Sequence, residues 1–402
     1  MKLHDIPNTC SSAIKAIKDL NIAYLTIHIS SGLKALKAAK KVSGKIKLVG
    51  VTILTSLDNK ALREIGFNKN VKKLVLDQAK LANKAKLDAI VCSAQEVKIV
   101  KKVFKKEIIT PGIRLRTIRR ELARGNSVRV LEAHNPISAI IAERTSVKKD
   151  NVRNFYGAIW SSSLTDSTAR WKPDIESIDL TTRVNNLNEI MEVSSLPIIY
   201  DGDTGGKTDH FVYMVRTLER IGVSMVIIED KTGLKRNSLF GNDVHQTQIA
   251  PKNFVEKLIA GKEAQLTKDF MICARIESLI LQKGMKDAIS RAEMYISAGA
   301  DAIMIHSNKK DGKEILEFMR IIREDIGSKI PIVLVPTSYC EISYQDLVIA
   351  GANIIIYANH MLRAAYPGMA KVAKSILENG CSSSMEKNML SIKEILEISG
   401  GI

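Results

Sequence analysis

The chain has 402 residues, 45% of them apolar and 26% charged, which suits a soluble globular protein of two or three domains with ample core. No run of about 18 apolar residues is present to span a membrane, and the opening stretch MKLHDIPNTC lacks the apolar segment of a secretory signal. The 60 Lys+Arg outnumber the 43 Asp+Glu by 17, but the lysines spread over helical faces such as LKALKAAKKVSGK and aromatics reach only 5%. That pattern reads as solvated helix surface with a bias toward small anionic substrates, not as a nucleic-acid footprint. The five cysteines (Cys10, Cys92, Cys273, Cys340, Cys381) are scattered without a C-x-x-C pair. This predicts reduced thiols in a cytoplasmic protein and argues against a cysteine-built zinc site.

Short β-branched runs alternate with longer stretches of helical periodicity, the pattern of βα units. In residues 1–113 four full strands are predicted: AYLTIHI (23–29), LVGVTILT (48–55), LDAIVCS (87–93) and EIITPG (107–112). Four βα units make half a barrel, which leaves two sheet edges to be covered. RLRTIRRELARGNS (114–127) reads as a junction, a helix and then a turn before the next strand. From 128 to 402 eight strands are predicted: VRVLEAH (128–134), GAIWSSS (157–163), LPIIYDG (196–202), VSMVIIED (223–230), FMICARIE (270–277), ADAIMIHS (300–307), PIVLVPT (331–337) and ANIIIYAN (352–359). The intervening segments, such as FVYMVRTLERIG, repeat apolar residues at helical spacing and end in glycine. Eight βα units in roughly 260 residues fit one (β/α)8 TIM barrel, with a doubly wound open sheet as the alternative. The fold class is therefore α/β, a barrel preceded by a partial half-barrel.

Reactive groups of a parallel barrel sit at the C-terminal ends of its strands. Here those ends carry Trp160-Ser161-Ser162-Ser163, then Asp201-Gly202-Asp203-Thr204-Gly205-Gly206, then Glu229-Asp230-Lys231, with Arg275 and His306 on the next two strands. Three carboxylates on adjacent ends suit a hard cation such as Mg²⁺, which takes oxygen ligands and keeps several waters. The glycines of DGDTGG would let backbone approach a ligand closely. Arg275 suits a planar anion bound bidentately. KTGLKRNS offers Lys235, Asn237 and Ser238 on a loop able to close over a small anionic substrate. Taken singly, each of these has an ordinary structural reading as a turn, a surface charge or a plain βα loop.

The segments EAHNPISAIIAE, IWSSSLTDSTARWKPDIES, DGDTGG, IIEDKTGLKRNSLFGND and ICARIESLI together resemble the phosphoenolpyruvate mutase family of the isocitrate lyase superfamily, over about residues 115–380. The resemblance implies a Mg²⁺-dependent barrel that interconverts phosphoenolpyruvate and phosphonopyruvate, the entry to phosphonate biosynthesis. It implies that Asp201, Asp203 and Glu229 surround Mg²⁺ directly or through water. Trp160, Ser162, Ser163 and Leu164 would line the substrate pocket, with Asn237 and Ser238 on a gating loop. Asp174, in KPDIES, would lie near the metal and the transferring group; Lys235 matches the loop lysine, and Arg275 and His306 would hold the phosphoryl group. Asn237 in K-x-N-S is typical of the mutases, which sets phosphonopyruvate hydrolase second; isocitrate lyase-type cleavage fits poorly, because the loop holds no cysteine. The remaining alternative is a non-catalytic barrel kept for assembly or binding. The expected partners are a small-molecule substrate and further copies of the same chain in a homo-oligomer, without nucleic acid or membrane. RTSVKKDNVRNFYGAIW is longer than the corresponding link in the shorter mutases.

KLHDIPNT (2–9), TSLD (55–58), CSAQE (92–96) and TPGIR (110–114) resemble orotidine 5′-phosphate decarboxylase, another (β/α)8 enzyme. That family carries the motif D-x-K-x-x-D; Lys2 and Asp5 match its lysine and second aspartate, and Thr9 and Ser56 match substrate-contacting positions. The first aspartate of the motif has no counterpart before Met1, and after TPGIR the mutase-like region replaces the family's final strands and phosphate site. The expectation is a fragment inactive by itself, with a gene fusion, a wrong start and an assembly error as open explanations. The chain is accordingly predicted not to decarboxylate orotidine 5′-phosphate; turnover that disappears in Lys2→Ala would contradict this.

Overall fold

Runs of β-branched residues too short for helices become parallel strands, and the amphipathic stretches between them become the crossovers that parallel pairing demands. The computed structural model describes residues 2–20, 22–53, 59–64, 66–92, 96–109, 113–233, 235–238 and 245–399. The chain divides into two compact units, Met1–Ile113 and Arg114–Ile402.

The first unit is a five-stranded parallel sheet in sequential order: β1 (Lys2–Leu3), β2 (Tyr24–His28), β3 (Lys47–Val51), β4 (Ala89–Val91) and β5 (Glu107–Ile109). Four of these are the predicted strands. The fifth, β1, has two residues, too few for any periodicity, and exists through the pairing of Lys2 with Thr26 and Leu3 with Ile27. Leu36 and Ala39 of helix Gly32–Val42 and Val75 and Ala79 of helix Val71–Lys84 join Ile27, Leu48 and Ile90 in one core. The sheet stays open, with β1 and β5 at its edges. Of the decarboxylase-like residues, Lys2 lies in β1, Asp5 and Thr9 are exposed, and Ser56 falls outside the described residues.

In the second unit β6 (Val128–Glu132) is followed by a hairpin of β7 (Ser146–Lys149) and β8 (Val152–Phe155), and then by β9 (Ala158–Ser161), β10 (Ile198–Asp201) and β11 (Met225–Glu229). A small antiparallel ribbon, β12 (Lys231–Thr232) with β13 (Thr247–Gln248), precedes β14 (Met271–Ile276), β15 (Ala302–Ile305), β16 (Ile332–Leu334) and β17 (Ile354–Tyr357). The eight longer-range strands close into a barrel in the order β6-β9-β10-β11-β14-β15-β16-β17, sealed where Ile354 to Tyr357 pair with Val128 to Leu131. An open sheet is thereby excluded. The strands match the eight predicted, each trimmed at its ends. The unusually long stretch 144–160 is accounted for by the β7/β8 hairpin, whose turn places Asp150 and Asn151 at positive φ. Helix Ile113–Ala123 sends Ile118 into the barrel interior, where it shares a cluster with Val128, Met225, Met271 and Ala302.

Two buried arginines fix the strand ends that bear the polar residues. Arg183, within helix Leu180–Val193, donates from Nε to Asp166 Oδ2 at 3.0 Å and from its Nη atoms to the Asp201 carbonyl at 2.5 Å and the Ser161 carbonyl at 3.1 Å. It therefore ties the ends of β9 and β10 together while stacking 4.0 Å over the Tyr200 ring. Arg291, from helix Gly284–Ser297, meets Asp230 Oδ2 at 3.1 Å, where Gln248 Nε2 (2.9 Å) and Tyr295 Oη (2.8 Å) also donate. Asp230 thus points away from the barrel axis and anchors β13. Removing one member of a buried charge network leaves its partners uncompensated. Arg183→Met is therefore expected to destabilise the protein by about 3–5 kcal/mol in urea unfolding, and a loss below about 1 kcal/mol would deny the tie that role.

Candidate active site

Twelve of the thirteen barrel residues singled out from the sequence line one cavity of about 60 Å³ at the C-terminal ends of the strands: Trp160, Ser162, Ser163, Leu164, Asp174, Asp201, Glu229, Lys235, Asn237, Ser238, Arg275 and His306. Their positions follow from the fold. Trp160, Asp201, Glu229 and Arg275 end or nearly end their strands, and Ser162 caps helix Ser163–Thr168 by accepting from the Thr165 N–H at 3.5 Å. Asp174 arrives from the loop between that helix and the next.

The loop after β11 reaches into this cavity. The Lys235 ammonium donates to Asp174 Oδ1 at 2.7 Å and to Ser163 Oγ at 2.5 Å, and it also contacts Asp203 Oδ1. Asn237 Nδ2 donates to Asp174 Oδ2 at 2.8 Å, so both oxygens of Asp174 are held from the loop. Ser163 is bonded to Asp201 Oδ2 through its N–H at 3.2 Å and its hydroxyl at 3.1 Å. Ser238 Oγ donates to Glu277 Oε2 at 2.6 Å and accepts from Arg275 Nη2 at 2.6 Å. Arg275 Nε in turn donates to Glu277 Oε1 at 2.5 Å.

Asp203 is the exception among the predicted residues. It stands outside the cavity lining, with Oδ1 on Lys235 and Oδ2 3.6 Å from Arg183. Gly202 also departs from expectation. A Cβ there would come within 2.8 Å of Val226 Cγ2 and 3.0 Å of the Ile227 carbonyl, so the glycine serves close packing against β11 and not approach to a ligand. The sequence reading placed Lys231 at a strand end without giving it a role, and it passed over Glu277, Arg183 and, from the ends of the last two strands, Thr337 and Asn359, both of which line the cavity. Glu277 had a usable signal, a carboxylate two residues beyond Arg275 at a strand end. Arg183 had none, since it lies in an amphipathic helix as a surface charge would.

The electrostatics follow from burial and close charges. Burial opposes ionisation of Asp201, but Lys235, Arg183 and Arg275 together hold its carboxyl below the usual range. Burial pushes Glu229 up to about 7 against the pull of Arg275 and Lys231. Glu277, equally buried, is kept well below its ordinary value by Arg275 and Lys231. Burial and then the Arg275 charge lower His306, so its imidazole is neutral near pH 7. Its Nδ1 lies 3.6 Å from Glu277 Oε1, too far for a hydrogen bond.

Among the described residues no three His, Cys, Asp or Glu side chains converge as a ready-made set of metal ligands. The chemistry of the donors still suits Mg²⁺. Asp174, Asp201, Asp203, Glu229 and Glu277 outnumber Lys231, Lys235, Arg275 and Arg183, and the buried Glu229 Oε1 is met by Lys231 Nζ at 3.2 Å as an ion pair without a well-formed hydrogen bond. Mg²⁺ is commonly held by one or two carboxylates and several waters, which needs no triad of direct ligands. Trp160 Nε1 and His306 Nδ1 line the same cavity, and both are buried without a hydrogen-bond partner among the described residues.

Because the folded chain disfavours the His306 imidazolium, the unfolded chain binds that proton more readily, and the protein loses stability as pH falls below the ordinary histidine value of about 6.5. Followed by NMR, the His306 ring is expected to titrate below pH 6.5; a midpoint above it would contradict the neutral assignment.

The chain matches the family model described as phosphoenolpyruvate phosphomutase over residues 118–377, and that of the orotidine 5′-phosphate decarboxylase / HUMPS family over residues 1–167. Phosphonopyruvate hydrolase of Variovorax sp. (strain Pal2) is 34% identical over 285 residues, 70% of this chain and 93% of that protein. Phosphoenolpyruvate phosphomutase of Tetrahymena pyriformis is also 34% identical, over 273 residues, 67% of this chain and 86% of that one. Among solved structures, the phosphoenolpyruvate phosphomutase from Streptomyces platensis subsp. rosaceus superposes with a TM-score of 0.65 at 32% identity, covering 71% of this chain and 95% of that one. A phosphonopyruvate hydrolase complex with oxalate and Mg²⁺ gives 0.64 at 31% identity, covering 72% and 95%. At the N-terminus, orotidine 5′-phosphate decarboxylase of Wolbachia pipientis subsp. Culex pipiens (strain wPip) is 48% identical over 119 residues, 29% of this chain and 53% of that protein. The chain thus spans about half the length of the decarboxylases it matches. With a closed parallel barrel, a carboxylate-rich cavity at its C-terminal face and a family match over most of its length, the chain belongs to the phosphoenolpyruvate phosphomutase family.

Proposed function

We propose that the barrel is a Mg²⁺-dependent phosphoenolpyruvate mutase, interconverting phosphoenolpyruvate and phosphonopyruvate. The observation that carries this reading is the loop of residues 235–238 lying over the cavity, with Asn237 and Lys235 bonded to Asp174. Moving a phosphoryl group from oxygen to carbon on one small molecule passes through a loose, metaphosphate-like state. Such a state asks for positioning and charge neutralisation more than for covalent help. It must also be shielded, because water reaching it would give inorganic phosphate and pyruvate.

Asp201, Asp203 and Glu229, with Asp174 close by, would hold Mg²⁺ directly or through water, and Mg²⁺ when bound would supply positive charge to the carboxylate and phosphoryl oxygens. The relative crystallised with oxalate and Mg²⁺ supports the choice of metal. Arg275, its charge secured by Glu277 and Glu229, would neutralise phosphoryl oxygens. Neutral His306 would hydrogen-bond the same group without adding charge. Trp160, Ser162, Ser163 and Leu164 form the wall on which the pyruvyl part would rest. Asp174, which both loop side chains grip, would stand beside the transferring group. Asn237 favours the mutase over the hydrolase, since an amide seals the cavity without activating a water.

The test is ³¹P NMR of phosphonopyruvate with the protein and Mg²⁺. Phosphoenolpyruvate is the expected product, and Asp174→Ala should lower its rate by on the order of 10²–10³-fold. Inorganic phosphate as the sole product would favour phosphonopyruvate hydrolysis, and equal inertness of wild type and Asp174→Ala would favour a non-catalytic barrel.

A further inference from the structure

Lys231 is 3% exposed and is not among the residues lining the cavity. An ammonium carries three N–H donors. Lys231 directs them to the Arg236 carbonyl at 3.0 Å, Ser238 Oγ at 2.9 Å and Gln246 Oε1 at 2.9 Å. The first two acceptors lie on the arm of the loop that enters the cavity, and the third on the arm that returns to β13. Its countercharges come from the barrel instead, Glu229 Oε1 at 3.2 Å and Glu277 Oε2 at 3.6 Å. Every donor is therefore spent on the loop while every balancing charge belongs to a strand end.

Ser238 carries the connection further. Its hydroxyl accepts from Lys231 and from Arg275 Nη2 and donates to Glu277 Oε2, which uses its one proton and both lone pairs. Glu277 also fixes Arg275 through Nε. Withdrawal of the loop would take Ser238 from three charged partners at once and remove one of the contacts that orient the guanidinium.

We propose that Lys231 and Glu277 are positioning residues that form a latch: they hold the loop of residues 235–238 over the cavity and, through Ser238, couple the orientation of Arg275 to its closure. The kinetic consequence rests on the mutase reading, whereas the latch itself does not.

Trypsin reads the latch directly, since the loop offers cleavage after Lys235 and Arg236. The full-length chain is compared with Lys231→Met, Gln246→Ala and Lys231→Arg, with circular dichroism and urea midpoints reporting the fold. Losing one hydrogen bond to a charged group shifts an opening equilibrium by about tenfold or more. Cleavage at 235–236 is expected to quicken at least about tenfold in Lys231→Met, to a lesser degree in Gln246→Ala, and to return toward wild type in Lys231→Arg. If Lys231→Met fails to fold, Gln246→Ala decides, because it removes one acceptor from the partly exposed arm. Cleavage of the folded variants within about twofold of wild type overturns the latch. With phosphonopyruvate and Mg²⁺, Lys231→Met should lower kcat more than it changes KM and divert product toward inorganic phosphate. A wild-type protein that forms no phosphoenolpyruvate would refute the mutase while leaving the proteolysis result to stand.

Discussion

A carboxylate buried at the end of a strand costs several kcal/mol unless a cation meets it, and that requirement organises the mouth of this barrel. β10, β11 and β14 bring Asp201, Asp203, Glu229 and Glu277 into a small region from which water is largely shut out. The strands themselves supply one compensating charge, Arg275. The others come from elements laid over the top: Arg183 from a helix, Lys231 from the ribbon after β11, and Lys235 from the loop. The closed loop is thus part of the charge balance of the site, and a loop that carried no cation would leave Asp174 and Asp203 without their ammonium partner.

On the proposed reading, such an arrangement suits chemistry kept from water. Of the cations that neutralise these carboxylates, Lys235 and Arg275 also line the cavity, so a phosphoryl anion would meet charges already in place. It also explains why overall similarity does not choose between mutase and hydrolase, which resemble this chain to the same 34%. On the proposed reading the two activities differ in whether water reaches the phosphoryl group, and the loop over the cavity is where this chain would set that.

Much of this was legible from residue patterns. The eight strands of the barrel declared themselves because β-branched runs with both faces buried contrast sharply with amphipathic helices, and polar residues at strand ends stand out against them. Asn237, Ser238 and Lys235 were found together because the loop keeps them within four positions. What escaped were residues whose role depends on direction. Asp203 sits in the same DGDTGG turn as Asp201, yet a backbone with φ of +53° at Asp203 turns its carboxylate toward Arg183 and Lys235, out of the cavity lining. Asp230 and Glu229 are adjacent, and strand alternation sends one to the helix layer and the other to the cavity. Arg183 looks like a surface charge until the fold buries it, and Lys231, visible at its strand end, gave no sign of which way its ammonium turns. The two-residue β1 lay beneath the reach of any periodic signal.

Helix Ile113–Ala123 bears on how the parts of this protein can be separated. Ile118 completes the packing among the first residues of the barrel strands, so the helix acts as a stopper at the N-terminal end of the barrel. A fragment beginning at the first barrel strand would have the whole catalytic face and an unplugged floor. The workable cut for isolating the barrel lies before Arg114, where the compact units divide, and the basic segment that resembles a linker has to travel with the enzyme.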